Sequence, residues 1–428
     1  EGQIMNFHQI EKYLLIDIIG AILFKIVLDC SYISFVEPMY DYKGFYLDFD
    51  LIKYTLGWMV YLLLFMLLYR HKNHLLSMTL FISFLILIVP TITLFSLRNE
   101  SYGDFYAIVL PYALMLLGIA TQRVRIYYLP YGKQIAIGIA MLMVGIVFFH
   151  YLRIVGFDHI NFDLSKVYEL RGSDIGKASE AGIYGYLNSW VTKVFNIFLI
   201  AIALLRRKYF LVFLFVSIQI LLFGFSGHKS VLFSLVLLVG LFFVDKIKHQ
   251  TTVILYGSIA LVALALLYFQ LLGELMLPSI LIRRAFFVPA DLNYIYFDFF
   301  SSTDFIYWSH SILKNIFTYP YETMPVYVIG DFLGYPEMAA NTGIFGTGYM
   351  HFGILGILLY LFVATLLINL VQQLHTLPYW VINTVVLMPF ISIFLSADLP
   401  TALLTHGLFV SIILLYLYSS PHQKERYS

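Results

Sequence analysis

With 428 residues, 61% of them hydrophobic and only 12% charged, and a mean hydropathy of +0.85, the chain lies far from the roughly 25% charged content of soluble domains. Its formal net charge of +1 comes from dispersed basic residues, which excludes the dense basic face that nucleic-acid binding requires. A single cysteine, Cys30, excludes an intramolecular disulfide and a cysteine-based metal site.

Met5 reads as a natural start, with Glu1 to Ile4 ahead of it. The first apolar run lacks a small-residue cleavage site, so it reads as a retained anchor. A hydrocarbon core needs about 20 apolar residues per helix. That ruler predicts spans over 13–36, 51–69, 75–96, 105–121, 135–155, 187–205, 209–225, 230–244, 251–272, 350–373, 379–396 and 402–418. The fold class is therefore all-α, a polytopic membrane protein with about twelve transmembrane helices in a single membrane domain over 1–428. There is no heptad seam and no internal repeat, which weakens a transporter built from inverted halves. Within the first span, Lys25 and Asp29 are one helical turn apart and predict an internal ion pair. Other ionisable groups in the spans are mainly His150, Arg153 and Lys193, near the outer ends, too few for the proton or ion relay of a pump.

Basic residues cluster in alternate connections: Arg70 and Lys72; Arg123, Arg125 and Lys133; Arg206, Arg207 and Lys208; Lys246 and Lys248; Lys424 and Arg426. Such clusters face the cytoplasm, which puts both termini inside and points to a bacterial plasma membrane. The opposite side then holds the acidic stretch Glu37 to Asp50, the segment Arg98 to Asp104, a first long loop over 156–186 and a large loop over 273–349. Connections in helical bundles usually run ~2–8 residues, so the two long loops read as functional.

Four cations fall outside against the charge bias: Arg171, Lys229, Arg283 and Arg284. A diphosphate-linked lipid presents its anion at that face. Arg and Lys bind such a group by charge-assisted hydrogen bonds and stabilise the charge that develops as it leaves. In the hairpin Phe225 to Ser230, Ser226 and Gly227 allow a tight turn and Lys229 opens the next helix, where free N–H groups favour an anion. The alternative is that each cation meets a lipid headgroup or a nearby carboxylate, such as Glu169 for Arg171.

From Arg283 to Ser302, Asp291 and Asp298 are seven residues apart and share one face of a helix. Tyr294, Tyr296 and Phe300 offer flat faces to sugar rings, unless the segment is an amphipathic helix lying on the membrane. Asp304, Trp308 and His310 follow, giving several candidate bases and no pairing that singles one out. Three glycines between Asn341 and Tyr349 predict a tight return into the bilayer, with Gly353 and Gly356 allowing close helix packing. No strand precedes them, so they are no nucleotide fingerprint. Tyr349 and His351 are candidates to face a substrate. Asp48 and Asp50, near Asp41, have the spacing of an acidic pair that could hold a metal.

The ordered set Tyr168-Glu169-Leu170-Arg171, Gly227-His228-Lys229-Ser230, Arg283-Arg284 with Pro289 and Tyr296-Phe297-Asp298-Phe299-Phe300, and Gly346-Thr347-Gly348-Tyr349 with Phe352-Gly353 resembles the Wzy-type O-antigen and oligosaccharide repeat-unit polymerases. The resemblance covers roughly residues 160–360. It implies an inverting, metal-independent glycosyltransferase of the integral-membrane (GT-C) type, needing no cofactor. Such an enzyme moves the growing glycan from undecaprenyl diphosphate to an incoming lipid-linked repeat unit at the periplasmic face of the inner membrane. Its partners are undecaprenyl-diphosphate-linked oligosaccharides, membrane lipids and a chain-length regulator protein. Carried onto this chain, Arg171, Lys229, Arg283 and Arg284 bind the donor diphosphate, Tyr168, His228, Tyr294 and Tyr349 contact substrate, and Asp298 or His310 activates the acceptor hydroxyl. Rival readings are an O-antigen ligase using His310, a lipid-linked oligosaccharide flippase, and a metal-dependent transferase using Asp48 and Asp50.

Overall fold

The computed structural model describes residues 7–120, 127–163, 172–247, 249–374 and 377–419, with side chains from residue 13 onward. Among them the structure is all helical, and eight helices are long and apolar enough to cross a membrane, as a polytopic membrane protein requires. The helices used below are α1 (Phe7–Ser31), α2 (Leu51–Tyr69), α3 (Ser77–Leu97), α4 (Tyr102–Gly118), α5 (Gly132–Ile154), α6 (Ile183–Leu205), α7 (Tyr209–Ser226), α8 (Lys229–Val244), α9 (Gln250–Leu272), α10 (Val288–Ser302), α11 (Ile344–Phe352), α12 (Ile354–Gln372), α13 (Tyr379–Leu395) and α14 (Leu399–Tyr418).

The twelve expected spans are not matched one for one. Helices α4, α8 and α13 are shorter apolar helices. At 1.5 Å per residue a 17-residue helix reaches only about 25 Å, against a hydrocarbon core of about 30 Å. The expected span 350–373 starts late, at Ile354, because Gly353 takes φ +60° and divides α11 from α12. The expected span 402–418 is interrupted where Gly407, at φ +79°, separates Leu399–Leu404 from Leu408–Tyr418. Helix α6 begins at Ile183, four residues ahead of its expected start, which moves Lys193 to mid-helix.

The chain divides into two compact units. The first gathers Glu1–Thr121, His249–Leu367 and Ile393–Asp398. In it α1 packs along α9, and α2 packs against the second half of α3. Helix α3 is enclosed by protein along almost its whole length, so its Thr93 can serve as a hydrogen-bonding group inside the bundle. Lys25 meets Asp29 at 2.5 Å, as the one-turn spacing predicts. Thr93 Oγ1 donates to Asp29 Oδ1 (2.8 Å) and Tyr54 OH to Asp29 Oδ2 (3.2 Å), so the buried pair has further hydrogen bonds.

The large loop of this unit is folded rather than open. A π-helical run, Ser279–Phe287, leads into α10, with Pro289 in the first turn where its missing N–H costs nothing. Leu292, Tyr296 and Phe300 of α10 join Ile306, Ile329, Ala340 and Met350 in a hydrophobic core of the loop's own. The packing expectation holds at Gly356, whose Cβ would sit 1.9 Å from the carbonyl oxygen of Gly348, so α11 and α12 meet backbone to backbone, whereas Gly353 is the break between these helices rather than a packing position.

The second unit gathers Gln122–Lys248, Ile368–Ser392 and Leu399–Ser428. Gln219 of α7, fully buried, ties three helices together. Its Nε2 donates to the carbonyls of Thr192 (2.7 Å) and Val231 (3.2 Å), and its Oε1 accepts from Asn196 Nδ2 (2.7 Å). In an apolar bundle such side-chain amides are a main source of specific helix pairing.

Candidate functional site

In the first unit, Gly44 at φ +87° ends the short turn Asp41–Lys43, and the chain there forms one wall of a cavity of about 390 Å³. The opposite wall is the π-helical run and the start of α10, which contribute Arg283, Arg284 and Asp291. The Arg283 guanidinium lies 4.3 Å from the Tyr40 ring centre, and its Nε donates to Ser279 Oγ at 3.4 Å. Arg284 is exposed. Lys43 sits over the rings of Tyr42 and Tyr335, 5.5 and 5.8 Å from their centres. Guanidinium and ammonium groups held on aromatic faces keep their charge and much of their donor capacity.

Asp291 would cancel part of this charge, but it is already engaged. Arg98 is buried and donates from Nη1 to Asp291 Oδ1 (2.5 Å) and to the Gly44 carbonyl (3.0 Å), while its Nε binds Glu100. Burial pushes the carboxyls of Asp291 and Glu100 above the usual range, and the Arg98 charge opposes that rise. Three cations therefore line a cavity whose one lining carboxylate is paired from behind. Lys43 and Arg98 are not among the residues the sequence analysis selects. The same outside-charge argument, applied to the short connections at 37–50 and 98–104, would have found both.

The other expected site residues separate into groups. Arg171 and Tyr168 lie outside the described residues. His228 and Lys229 belong to the second unit. There Gly227, at φ +63°, closes α7 by donating its N–H to the Phe223 carbonyl (2.8 Å), as the tight-turn reading requires. His228 Nε2 is hydrogen-bonded to Glu180, and Lys229 is the exposed first residue of α8.

On α10, Asp291 and Asp298 do share a face, which runs along the 98–104 segment: Asp291 meets Arg98, and Asp298 is within electrostatic reach of Asp104. Asp298 is exposed. The expected aromatic platform is corrected: Tyr294 is 3% exposed and donates its hydroxyl to the Thr91 carbonyl (3.1 Å), and Tyr296 is 1% exposed and donates to that of Ala340 (2.8 Å). Tyr296 is turned into the large loop's own core, and Tyr294 is turned towards α3. Tyr349 is half-buried, its ring 4.6 Å from that of Phe297. The spacing of Asp48 and Asp50 serves structure. Asp50 caps α2 by accepting from the Lys53 N–H (2.8 Å), and Asp48 accepts from Asn99 Nδ2 (2.9 Å).

His310 belongs to a third group. His351 accepts the backbone N–H of Trp308 at Nδ1 (3.1 Å), so neutral His351 carries its proton on Nε2, facing Asp398 Oδ2 at 3.3 Å. Trp308 Nε1 donates to Tyr360 OH (2.7 Å), which donates to Asp398 Oδ1 (2.6 Å), closing a ring of four residues. The ring holds Tyr307 and Trp308 in left-handed conformations at φ +52° and +55°, costly for bulky residues. With both nitrogens used, His351 is a clamp. The His310 ring stacks parallel to it at 5.6 Å, and His310 Nδ1 has no hydrogen-bond partner among the described residues. Burial, and secondly His351, lower the His310 pKa, so it is the neutral histidine able to accept a proton. Compared with models of known protein families, with curated proteins and with solved structures, the chain matches none.

Proposed function

We propose that this chain is a repeat-unit polymerase of the Wzy type, an inverting, metal-independent integral-membrane glycosyltransferase of the GT-C kind. In this reading it crosses the bacterial inner membrane about twelve times, with both termini in the cytoplasm and the large loop in the periplasm. The observation that carries the reading is the cavity lined by Lys43, Arg283 and Arg284, where Asp291 is already paired with Arg98. A diphosphate matches that charge, and the two guanidinium groups suit its oxygens bidentately.

The chemistry follows from that placement. The hydroxyl of an incoming lipid-linked repeat unit attacks the anomeric carbon of the donor glycan. The bond from that carbon to the diphosphate oxygen breaks, and the cations stabilise the departing undecaprenyl diphosphate. The hydroxyl proton passes to a base, His310 or Asp298. His310 has the free nitrogen and Asp298 the exposed carboxylate. A chain-length regulator protein acts as partner in this proposal.

The test incubates purified protein with undecaprenyl-diphosphate-linked repeat units in the presence of chelator. A ladder of lengthened glycans is the expected product. Transfer seen only after lipid A core is added would make the chain an O-antigen ligase, a reading that His310 also fits. Movement of intact lipid across liposomes without a ladder would make it a flippase.

A further inference from the structure

The cavity of Lys43, Arg283 and Arg284 also contains an acceptor without a donor. Asp291 is 6% exposed and is pinned through one oxygen only, Arg98 Nη1 donating to Oδ1 at 2.5 Å. Arg98 is itself fixed, since Nη1 also donates to the Gly44 carbonyl (3.0 Å) and Nε to Glu100. The orientation of the carboxylate is therefore set. Its second oxygen, Oδ2, accepts no hydrogen bond among the described residues, yet it keeps solvent-accessible surface, and the residue lines the cavity of about 390 Å³. Oδ2 thus opens on the space that the three cations share.

Arg283 is near enough for its charge to act on Asp291, but its Nε is on Ser279 Oγ (3.4 Å), its guanidinium lies 4.3 Å from the Tyr40 ring centre, and it makes no hydrogen bond to Oδ2. The site presents N–H donors for an anion and, among them, one carboxylate oxygen that needs a donor. Polar atoms held in so little water are nearly always matched, so the ligand should supply both.

A diphosphate with a free terminal phosphate satisfies the cations. Above the second ionisation of that phosphate, at about 6, it brings only acceptor oxygens and an additional negative charge to Oδ2. A neutral sugar suits Oδ2 and leaves the cations without an anion. A glycosyl diphosphate meets both needs, because esterification removes the additional charge and the first sugar carries hydroxyl or amide N–H groups within a few bonds of the diphosphate.

We propose that Asp291 Oδ2 accepts a hydrogen bond from the first sugar of a lipid-linked glycosyl diphosphate, so that the cavity selects the glycan-loaded donor over the spent carrier lipid. The inference rests on the diphosphate reading above and adds to it the residue that tells substrate from product. Release of the product follows from the same contact. When the bond between the anomeric carbon and the diphosphate oxygen breaks, the sugar's donor departs and the terminal phosphate gains a charge beside Asp291.

Native mass spectrometry of the full-length protein in detergent at pH 8 tests this with undecaprenyl diphosphate, its methyl ester on the terminal phosphate, and undecaprenyl-diphosphate-N-acetylglucosamine. The methyl ester has the charge of the glycosylated lipid and none of its donors. The parent should bind the glycosylated lipid about tenfold or more tightly than undecaprenyl diphosphate, as a hydrogen bond to a charged group warrants, and several-fold more tightly than the methyl ester. Asp291→Asn keeps an oxygen for Arg98 and turns an N–H towards the cavity, so it should bind undecaprenyl diphosphate more tightly than the parent does, a gain that misfolding cannot produce. If the variant melts below the parent, the parent's ranking of the three lipids decides alone. A methyl ester that binds as well as the glycosylated lipid, or a stably folded variant with no gain for undecaprenyl diphosphate, would overturn the role of Asp291 and leave the diphosphate site standing. Binding of none of the three lipids by the parent would overturn the diphosphate reading and this inference with it.

Discussion

Replacing Arg98 with methionine strands two carboxylates inside the first unit. The side chains of Arg98, Asp291 and Glu100 are 6%, 9% and 17% exposed, so water screens little of the loss. Removing one partner of a buried ion pair costs about 3–5 kcal/mol, which is a more than hundredfold fall in the folding constant by the relation of about 1.4 kcal/mol per factor of ten. The deficit also carries a pH signature. Burial already raises both carboxyls in the folded protein, and without Arg98 only the Arg283 charge still opposes that rise, at Asp291. A carboxyl whose folded pKa exceeds its unfolded value binds a proton more tightly when folded. Its contribution is therefore favourable at low pH and is lost as pH rises through the folded value. Thermal unfolding in detergent, followed by tryptophan fluorescence, should show Arg98→Met far less stable than the parent at pH 8, with the gap narrowing towards pH 5. A variant that melts with the parent at pH 8, or a gap that widens on acidification, would refute the reasoning.

Gly356→Ala should destabilise by ~1–3 kcal/mol or more, since its Cβ would meet the Gly348 carbonyl rather than a movable side chain; a melting temperature equal to the parent's would show that the two helices can part. Asp398→Asn replaces the acceptor of Tyr360 and His351 and should cost ~1.5–3 kcal/mol. Limited proteolysis should then nick the segment around Tyr307 and Trp308, and unchanged resistance would contradict the clamp. His310 has a lowered folded pKa, so on acidification through about 6.5 the unfolded chain gains its proton first and stability is lost. His310→Gln should therefore lose less stability than the parent between pH 7 and 5, and parallel curves would count against a buried neutral imidazole.

Local arrangements were legible in the sequence wherever one helical turn or one glycine decides them. Lys25 and Asp29 pair because four residues make one turn, and Gly227 turns because no side chain opposes a positive φ. Gly348 and Gly356 are readable as close-packing positions for the same steric reason. Long-range partners were not readable. Arg98 and Asp291 are 193 residues apart, and Asp398 reaches His351 from a different helix connection. The aromatic run of α10 was ambiguous because periodicity identifies a face but not what covers it, and here the loop's own core covers Tyr296 while Tyr294 is buried with its hydroxyl on Thr91 of α3. Span ends shifted where Gly353 and Gly407 break helices that hydropathy alone runs together.

The central claim is that the cavity of Lys43, Arg283 and Arg284 holds the diphosphate of a lipid donor. Native mass spectrometry of the detergent-solubilised protein with undecaprenyl diphosphate tests it directly, comparing the parent with an Arg283→Ala, Arg284→Ala double variant of unchanged melting temperature. The account predicts that the parent retains one diphosphate lipid and that the variant loses it. Equal retention by both proteins would contradict it.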